Sequence, residues 1–329
     1  MFISPSPAKP VRVRLLPPRK SSLTLWNYRI ICFCLIDFVT LQMMKTYTEN
    51  LHSAKRTEWL RRIMEIRDTD YQIGDLVSLS FGDLSVSKIL PEHIVSLACL
   101  VESLTSKKVQ VSIFLQEECG KYFSSTLKLS EYWKGGQDYA QAEQETILNL
   151  WHIKADKTEE HARRTTEYLK NRFFKNKDLS AVTLSLLEAY YNINDHSRFN
   201  GNAFSMLSFD EETEVLSVAV CDFGIGIAGS VRNFDPSIDD DKTALRKATE
   251  ANFTVQSTAH NAGMGLYNIK SVCTEDDIMW IISNEAALGI TSKSERAIDL
   301  DFNFQGCLLT YSVSLSHFED EETLDDFNW

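Results

Sequence analysis

The stretch Val215-Leu216-Ser217-Val218-Ala219-Val220-Cys221-Asp222-Phe223-Gly224-Ile225-Gly226-Ile227 decides the fold. Val215 to Cys221 is almost continuously apolar and rich in valine, which reads as a buried strand. It runs directly into an acid and a pair of glycines. A carboxylate at a strand end accepts hydrogen bonds. The glycines let the backbone turn tightly and come close to a flat ring. Asp and Gly are also ordinary turn residues, so by itself the segment equally describes a plain strand-to-loop turn.

Upstream of it lies an amphipathic helix. Ser180 is placed as its N-cap, and Val182, Leu186, Ala189 and Ile193 recur at helical spacing as an apolar stripe. Glu188, Asn192 and Asp195 share the neighbouring face, because residues three and four apart are adjacent on a helix. Such a face offers a carboxylate that can take a proton and an amide oxygen that can meet a hard cation without adding negative charge. It equally fits a polar flank turned to water. Downstream, Gly263-Met264-Gly265-Leu266 opens a helix with Leu266, Ile269 and Cys273 on one side. Glycines ahead of a helix expose backbone N–H groups, and the helix N-terminus favours anions.

Each cluster is weak alone. In this order and on these elements, Glu188-x-x-x-Asn192, Asp222-x-Gly224-x-Gly226 and Gly263-x-Gly265-Leu266 resemble the N, G1 and G2 boxes of the GHKL ATP-binding domain. That domain is shared by histidine kinases, anti-sigma serine kinases, gyrase-type and mismatch-repair ATPases and heat-shock chaperones. The resemblance implies a two-layer α/β sandwich that binds ATP with Mg2+. It implies Asn192 as magnesium ligand, Glu188 as the catalytic base, and Asp222 as the anchor of the adenine amine. Gly224, Gly226, Gly263, Gly265 and Leu266 would line the nucleotide. Residues 227–262, polar and carrying Asp239-Asp240-Asp241, match the lid that closes over ATP, with a helical segment at Lys242–Ala251 and Thr254, Ser257 and Thr258 as phosphate contacts.

The chain departs from the family at one visible place. The usual Gly-Thr pair near the end is here Gly306-Cys307, and a thiol is a poor hydrogen-bond donor. The run Asn192-Ile193-Asn194-Asp195-His196-Ser197 is similar to anti-sigma-like and some histidine-kinase relatives, with His196 as a structural or phosphate-edge residue. His161 lacks the following proline usual for a phosphoacceptor histidine. The branch most similar is the stand-alone anti-sigma serine kinases. Phosphoryl transfer to water or to a partner protein is the expected activity; a nucleotide-gated interaction switch without turnover is the alternative. A protein partner in a signalling pathway is expected, and the resemblance also allows a homodimer.

The rest of the chain divides around this domain, assigned to 147–317. Leu76 to Phe81 and Val109 to Leu115 alternate as strands, while Leu90 to Leu104 and Gly120 to Trp133 have helical spacing. Residues 73–146 therefore read as a small α/β module. It loosely resembles the STAS domains that partner anti-sigma kinases. The Asp-Ser-Ser-Gly-like phosphoacceptor of that family is replaced by Lys88-Ile89-Leu90-Pro91-Glu92-His93, which has no hydroxyl. An unrelated packing module fits the same pattern. Residues 43–72 read as a helical linker and 318–329 as a solvated acidic tail. Residues 1–42 read as an unstructured leader or as a product of a mis-assigned start, with translation expected from Met43 or Met44.

Composition narrows the function. The 329-residue chain carries a net charge of −12, which argues against a broad nucleic-acid surface. Its seven cysteines form no CxxC pair, so neither a disulfide framework nor a zinc site is expected. Cys221 and Cys273 fall in apolar patterns as small hydrophobes, and a cytoplasmic location follows as the expectation. The Leu25–Leu41 run is interrupted by Asn27, Arg29 and Asp37, which makes a membrane span an unfavoured reading.

Overall fold

The computed structural model describes residues 12–16, 28–33, 44–129, 147–196, 203–251, 253, 265–274 and 277–320. The chain divides into two compact units, residues 1–145 with 149–151, and residues 146–148 with 152–329, so the boundary runs through one strand. Both are mixed α/β.

The first unit contains β1 (Arg12–Leu16), β2 (Tyr28–Phe33), β3 (Thr46–Asn50), α1 (Arg56–Asp68), β4 (Leu76–Ser80), α2 (Pro91–Ser106), β5 (Gln110–Leu115) and α3 (Glu117–Lys121). Its five-stranded sheet has the order β1-β2-β5-β4-β3. β3, β4 and β5 are parallel neighbours, joined through α1 and α2 by crossovers that parallel pairing requires. Trp59, Leu60, Ile63 and Met64 of α1 and Ile94, Val95, Leu97, Leu100 and Val101 of α2 are buried, and α2 packs on both α1 and the sheet.

The segment 43–72, expected as a helical linker, therefore supplies a strand as well as a helix. Tyr47 and Thr48 pair with Val77 and Ser78, a hydrogen-bonded role that helical periodicity does not register. The backbone of the expected leader likewise runs as β1 and β2, with β2 antiparallel to β5. Tyr28-Arg-Ile-Ile-Cys-Phe is rich in aromatic and β-branched residues, which suits a pleated strand better than an unstructured arm. Of Gly120 to Trp133, expected to be helical, the part up to Thr126 is helical and residues 130–133 lie outside the described residues. α3 ends at Lys121 and passes into a π-turn at Tyr122–Thr126.

The second unit contains β6 (Ile147–His152), α4 (Thr158–Arg172), α5 (Ser180–His196), β7 (Ala203–Asp210), β8 (Val215–Asp222), α6 (Ile227–Phe234), α7 (Asp241–Ala248), α8 (Gly265–Val272), β9 (Ile278–Ile290) and β10 (Glu295–Ser314). The sheet order is β6-β7-β8-β10-β9, and the pairs β7–β8, β8–β10 and β10–β9 are antiparallel. Helix α5 packs between α4 and α8. Val182, Leu186 and Ala189 of its predicted stripe are fully buried. Its first turn differs in detail from expectation. Ser180 is the first helical residue, and its N–H is received by the side chain of Asp178 at 2.8 Å.

Residues 227–251, expected as part of a polar lid, fold as α6 and α7. These pack on each other and on β9, with Ile227, Val231, Ala244 and Leu245 buried. Asp240 caps α7 by accepting the Thr243 N–H at 2.9 Å. Their short apolar stripes are diluted by Asp and Lys, which hides them in a composition reading. Thr254, Ser257 and Thr258 lie outside the described residues. The start of the expected tail is tied down. Glu319 accepts from the Asp178 N–H at 3.0 Å, and Asp320 pairs with Lys177 at 3.1 Å. Residues 321–329 lie outside the described residues. Among the described residues, no helix is long and apolar enough to cross a membrane.

Candidate functional site

Contacts between α5 and the sheet fix which face carries the site. Ser185 Oγ lies 3.0 Å from the Tyr311 hydroxyl on β10, and Tyr190 OH lies 3.2 Å from Ser205 Oγ on β7. Tyr311 is opposite Val218, and Ser205 is opposite Val220. Directly opposed residues point to one face and alternate residues share it. Val218, Val220 and Asp222 therefore all face the layer containing α5.

The same contacts set the level. From Ser185 to Tyr190 a helix advances about 7.5 Å, and from Val218 to Val220 a strand advances about 7 Å. Helix and strand climb together, so the last turns of α5, from Asn192 onward, arrive at the end of β8 where Asp222 sits.

Asp222 is 2% exposed. Its Oδ1 accepts the Gly224 N–H at 2.6 Å, and the Cys307 N–H also donates to the carboxyl. Burial pushes its carboxyl up to about 7, against those two donors, which favour the ionised form. A buried acid poised near neutrality is the kind of group found at functional sites. Cys307 stands directly across from Asp222 in the β8–β10 register. Its thiol is driven well above its ordinary value by burial, with the neighbouring carboxyl adding to the shift, and it stays protonated.

The loop after Asp222 is held by close backbone contacts. Gly226 has φ +77°, and a side chain there would meet Ser283 Oγ at 2.3 Å and the Gly306 carbonyl at 2.5 Å. Ser283 Oγ donates to that carbonyl at 2.8 Å. Asn284, itself at φ +53°, receives the Gly229 N–H of α6 at 3.2 Å. Ser283 and Asn284 carry no motif. The one sequence signal is an asparagine interrupting an apolar strand, which marks the register shift between β9 and β10.

Glu188 and Asn192 are half-buried on α5. The Asn192 amide nitrogen donates back to the Glu188 carbonyl at 2.8 Å, an arrangement that presents the amide oxygen as the acceptor. Across the helix pair, Asn268 of α8 donates to Glu188 Oε1 at 3.3 Å. The first turn of α8 therefore lies beside the carboxylate. Gly265 begins α8, and Leu266 is buried at 4% exposure. What Leu266 offers the site is its backbone, while its side chain anchors the helix with Ile269 and Cys273. Gly263 and the side chains of Asp195 and His196 lie outside the described residues. His161 is buried against the ring of Tyr190, and burial pushes it down to about 3, so it is neutral.

The chain thus places Glu188 beside Asn192 and the start of α8, and turns Asp222 toward the layer that contains α5. Among the described residues, no cluster of three or more His, Cys, Asp or Glu could hold a metal by itself. A single amide oxygen beside a carboxylate fits a cation that arrives with its own phosphate and water ligands. The described cysteines, Cys99, Cys119, Cys221, Cys273 and Cys307, are free and buried. No protein-family model matches the chain, and no curated protein matches it.

Proposed function

We propose that the second unit is an ATP-binding domain of the GHKL type that turns over Mg-ATP. The supporting observation is the arrangement just described. A buried carboxyl at the end of β8 faces the helix layer, where an amide and a carboxylate on α5 lie beside the first turn of α8. Asp222 receives the adenine amine in its ionised form. Asn192 supplies one oxygen to magnesium, and the first backbone N–H groups of α8 face the phosphates. Bound magnesium offsets phosphate charge.

Glu188 takes the proton from the attacking hydroxyl or water as its oxygen bonds to the γ-phosphorus. The bond from that phosphorus to the bridging oxygen breaks, and ADP leaves with the electron pair. The acceptor is water or a separate partner protein. In the first unit, residues 88–93, where the resemblance would put the acceptor, carry no hydroxyl. Glu92 is engaged by Arg56 at 2.6 Å, and the His93 Nδ1 receives the Leu90 N–H at 2.9 Å.

Calorimetric titration of the full chain with ATP and ADP in the presence of Mg2+ tests the reading, together with turnover of Glu188→Ala. Binding in the wild type, with turnover lost in Glu188→Ala while binding remains, supports an enzyme. Binding without turnover in the wild type supports a nucleotide-gated switch. A folded wild-type chain that binds neither nucleotide refutes the nucleotide reading.

A further inference from the structure

We propose that Asn268 is a positioning residue that orients the Glu188 carboxylate from the facing helix; this rests on the reading of Glu188 as base. Three observations converge on it. Asn268 lies on the first turn of α8, between the exposed Tyr267 and the fully buried Ile269, and is itself half-buried. Its amide nitrogen reaches Glu188 Oε1 at 3.3 Å across the α5–α8 contact. Its backbone carbonyl is already occupied, accepting from Ser271 Oγ at 2.8 Å. The side-chain amide is therefore the part of Asn268 given over to the neighbouring helix.

A glutamate on a helix flank samples several rotamers, and ordering one costs free energy. A donor fixed on a second, packed helix selects the rotamer that keeps the carboxylate beside the start of α8, where the phosphates are expected. A base acts only within hydrogen-bond reach of the proton it removes, so lost orientation appears in turnover. It does not appear in nucleotide affinity, because Asn268 acts through Glu188 and makes no nucleotide contact in this scheme. Removing an outer partner that orients a reacting group commonly costs between about 10- and 100-fold.

The experiment is a double-mutant cycle on the full chain, with Asn268→Ala, Glu188→Gln and their combination. Mg-ADP affinity is read by calorimetry and Mg-ATP turnover by phosphate release, and far-ultraviolet circular dichroism confirms that each variant is folded. The expected result is a loss in kcat of about tenfold in Asn268→Ala with Kd within about twofold of wild type. In the Glu188→Gln background the same change should have no further effect. A merely structural role would move Kd and would add to the Glu188→Gln loss.

Unchanged turnover in Asn268→Ala, or an additive cycle, overturns the positioning role and leaves the nucleotide reading standing. A wild-type chain that binds Mg-ADP without turning over Mg-ATP removes the base, and the positioning role with it. Absence of binding in the wild type refutes the nucleotide reading itself.

Discussion

Lowering the pH should weaken adenine binding, and the size of the effect follows from Asp222. Its carboxyl is lifted from the ordinary value of 3.8 to about 7 by burial, with Gly224 and Cys307 pulling the other way. The ionised carboxyl accepts the hydrogen bond of an adenine amine more strongly than the protonated acid does. With a midpoint near 7 it is about 90% ionised at pH 8 and about 10% at pH 6. Affinity should therefore fall between those values, by at most about tenfold, or ~1.4 kcal/mol. Adenosine is the informative ligand, because it has no phosphate to titrate in this range. Asp222→Asn should bind weakly and without pH dependence. A wild-type affinity for adenosine that is flat from pH 6 to 8, or that rises on acidification, would refute the assignment of the ionised carboxyl as anchor.

The same group affects stability with a definite sign. The folded state holds the Asp222 proton more tightly than the unfolded state, so between about pH 4 and 7 the unfolded chain binds fewer protons. Its contribution to stability therefore declines as pH rises through that window and is flat above it. The span of about three pH units sets a ceiling of about 4 kcal/mol. Asp178, Asp210, Asp235 and Asp240 oppose it. Their carboxyls are lowered by local hydrogen bonds, so their contribution is lost as pH falls. The slope that disappears in Asp222→Asn, measured by urea denaturation at several pH values, isolates the buried acid from these.

Three further perturbations test the geometry of the site. Gly306 has φ +128°, and an added Cβ would stand 2.1 Å from the Asp222 carbonyl and 2.7 Å from Phe223 Cα. Gly306→Ala should cost about 1–3 kcal/mol in backbone strain alone and weaken adenosine binding by shifting Asp222. Gly229→Ala, whose nearest neighbour is 3.7 Å away, should be neutral or stabilising by up to about 1 kcal/mol; denaturation midpoints compare them. Asn192→Ala should leave adenosine affinity unchanged while making ADP affinity insensitive to Mg2+, read by titration with and without the ion, because it removes the amide oxygen and leaves Asp222 untouched.

Local chemistry made part of the site legible in the sequence. A strand that ends in Asp-x-Gly-x-Gly and an amphipathic helix with an acid and an amide four residues apart can be read from periodicity. They appear in the structure at β8 and α5. Asn268, Ser283 and Asn284 were not legible. Each acts on a residue far away in the chain, and only Asn284 has a local mark, as an asparagine interrupting an apolar strand. The strand Thr46–Asn50 was missed for a related reason, since its alternation is short and its partner is Leu76–Ser80.

The sequence by itself determined that Val215–Cys221 is a strand running into Asp222 and that α5 is an amphipathic helix with Glu188 and Asn192 on one flank, because these depend on residue spacing. The tertiary structure alone decided that Asp222 faces α5, that Cys307 lies opposite it, that burial lifts its carboxyl toward neutrality and that Asn268 meets Glu188. Those facts depend on strand register and helix packing, which join residues 80 or more positions apart through contacts with no local imprint.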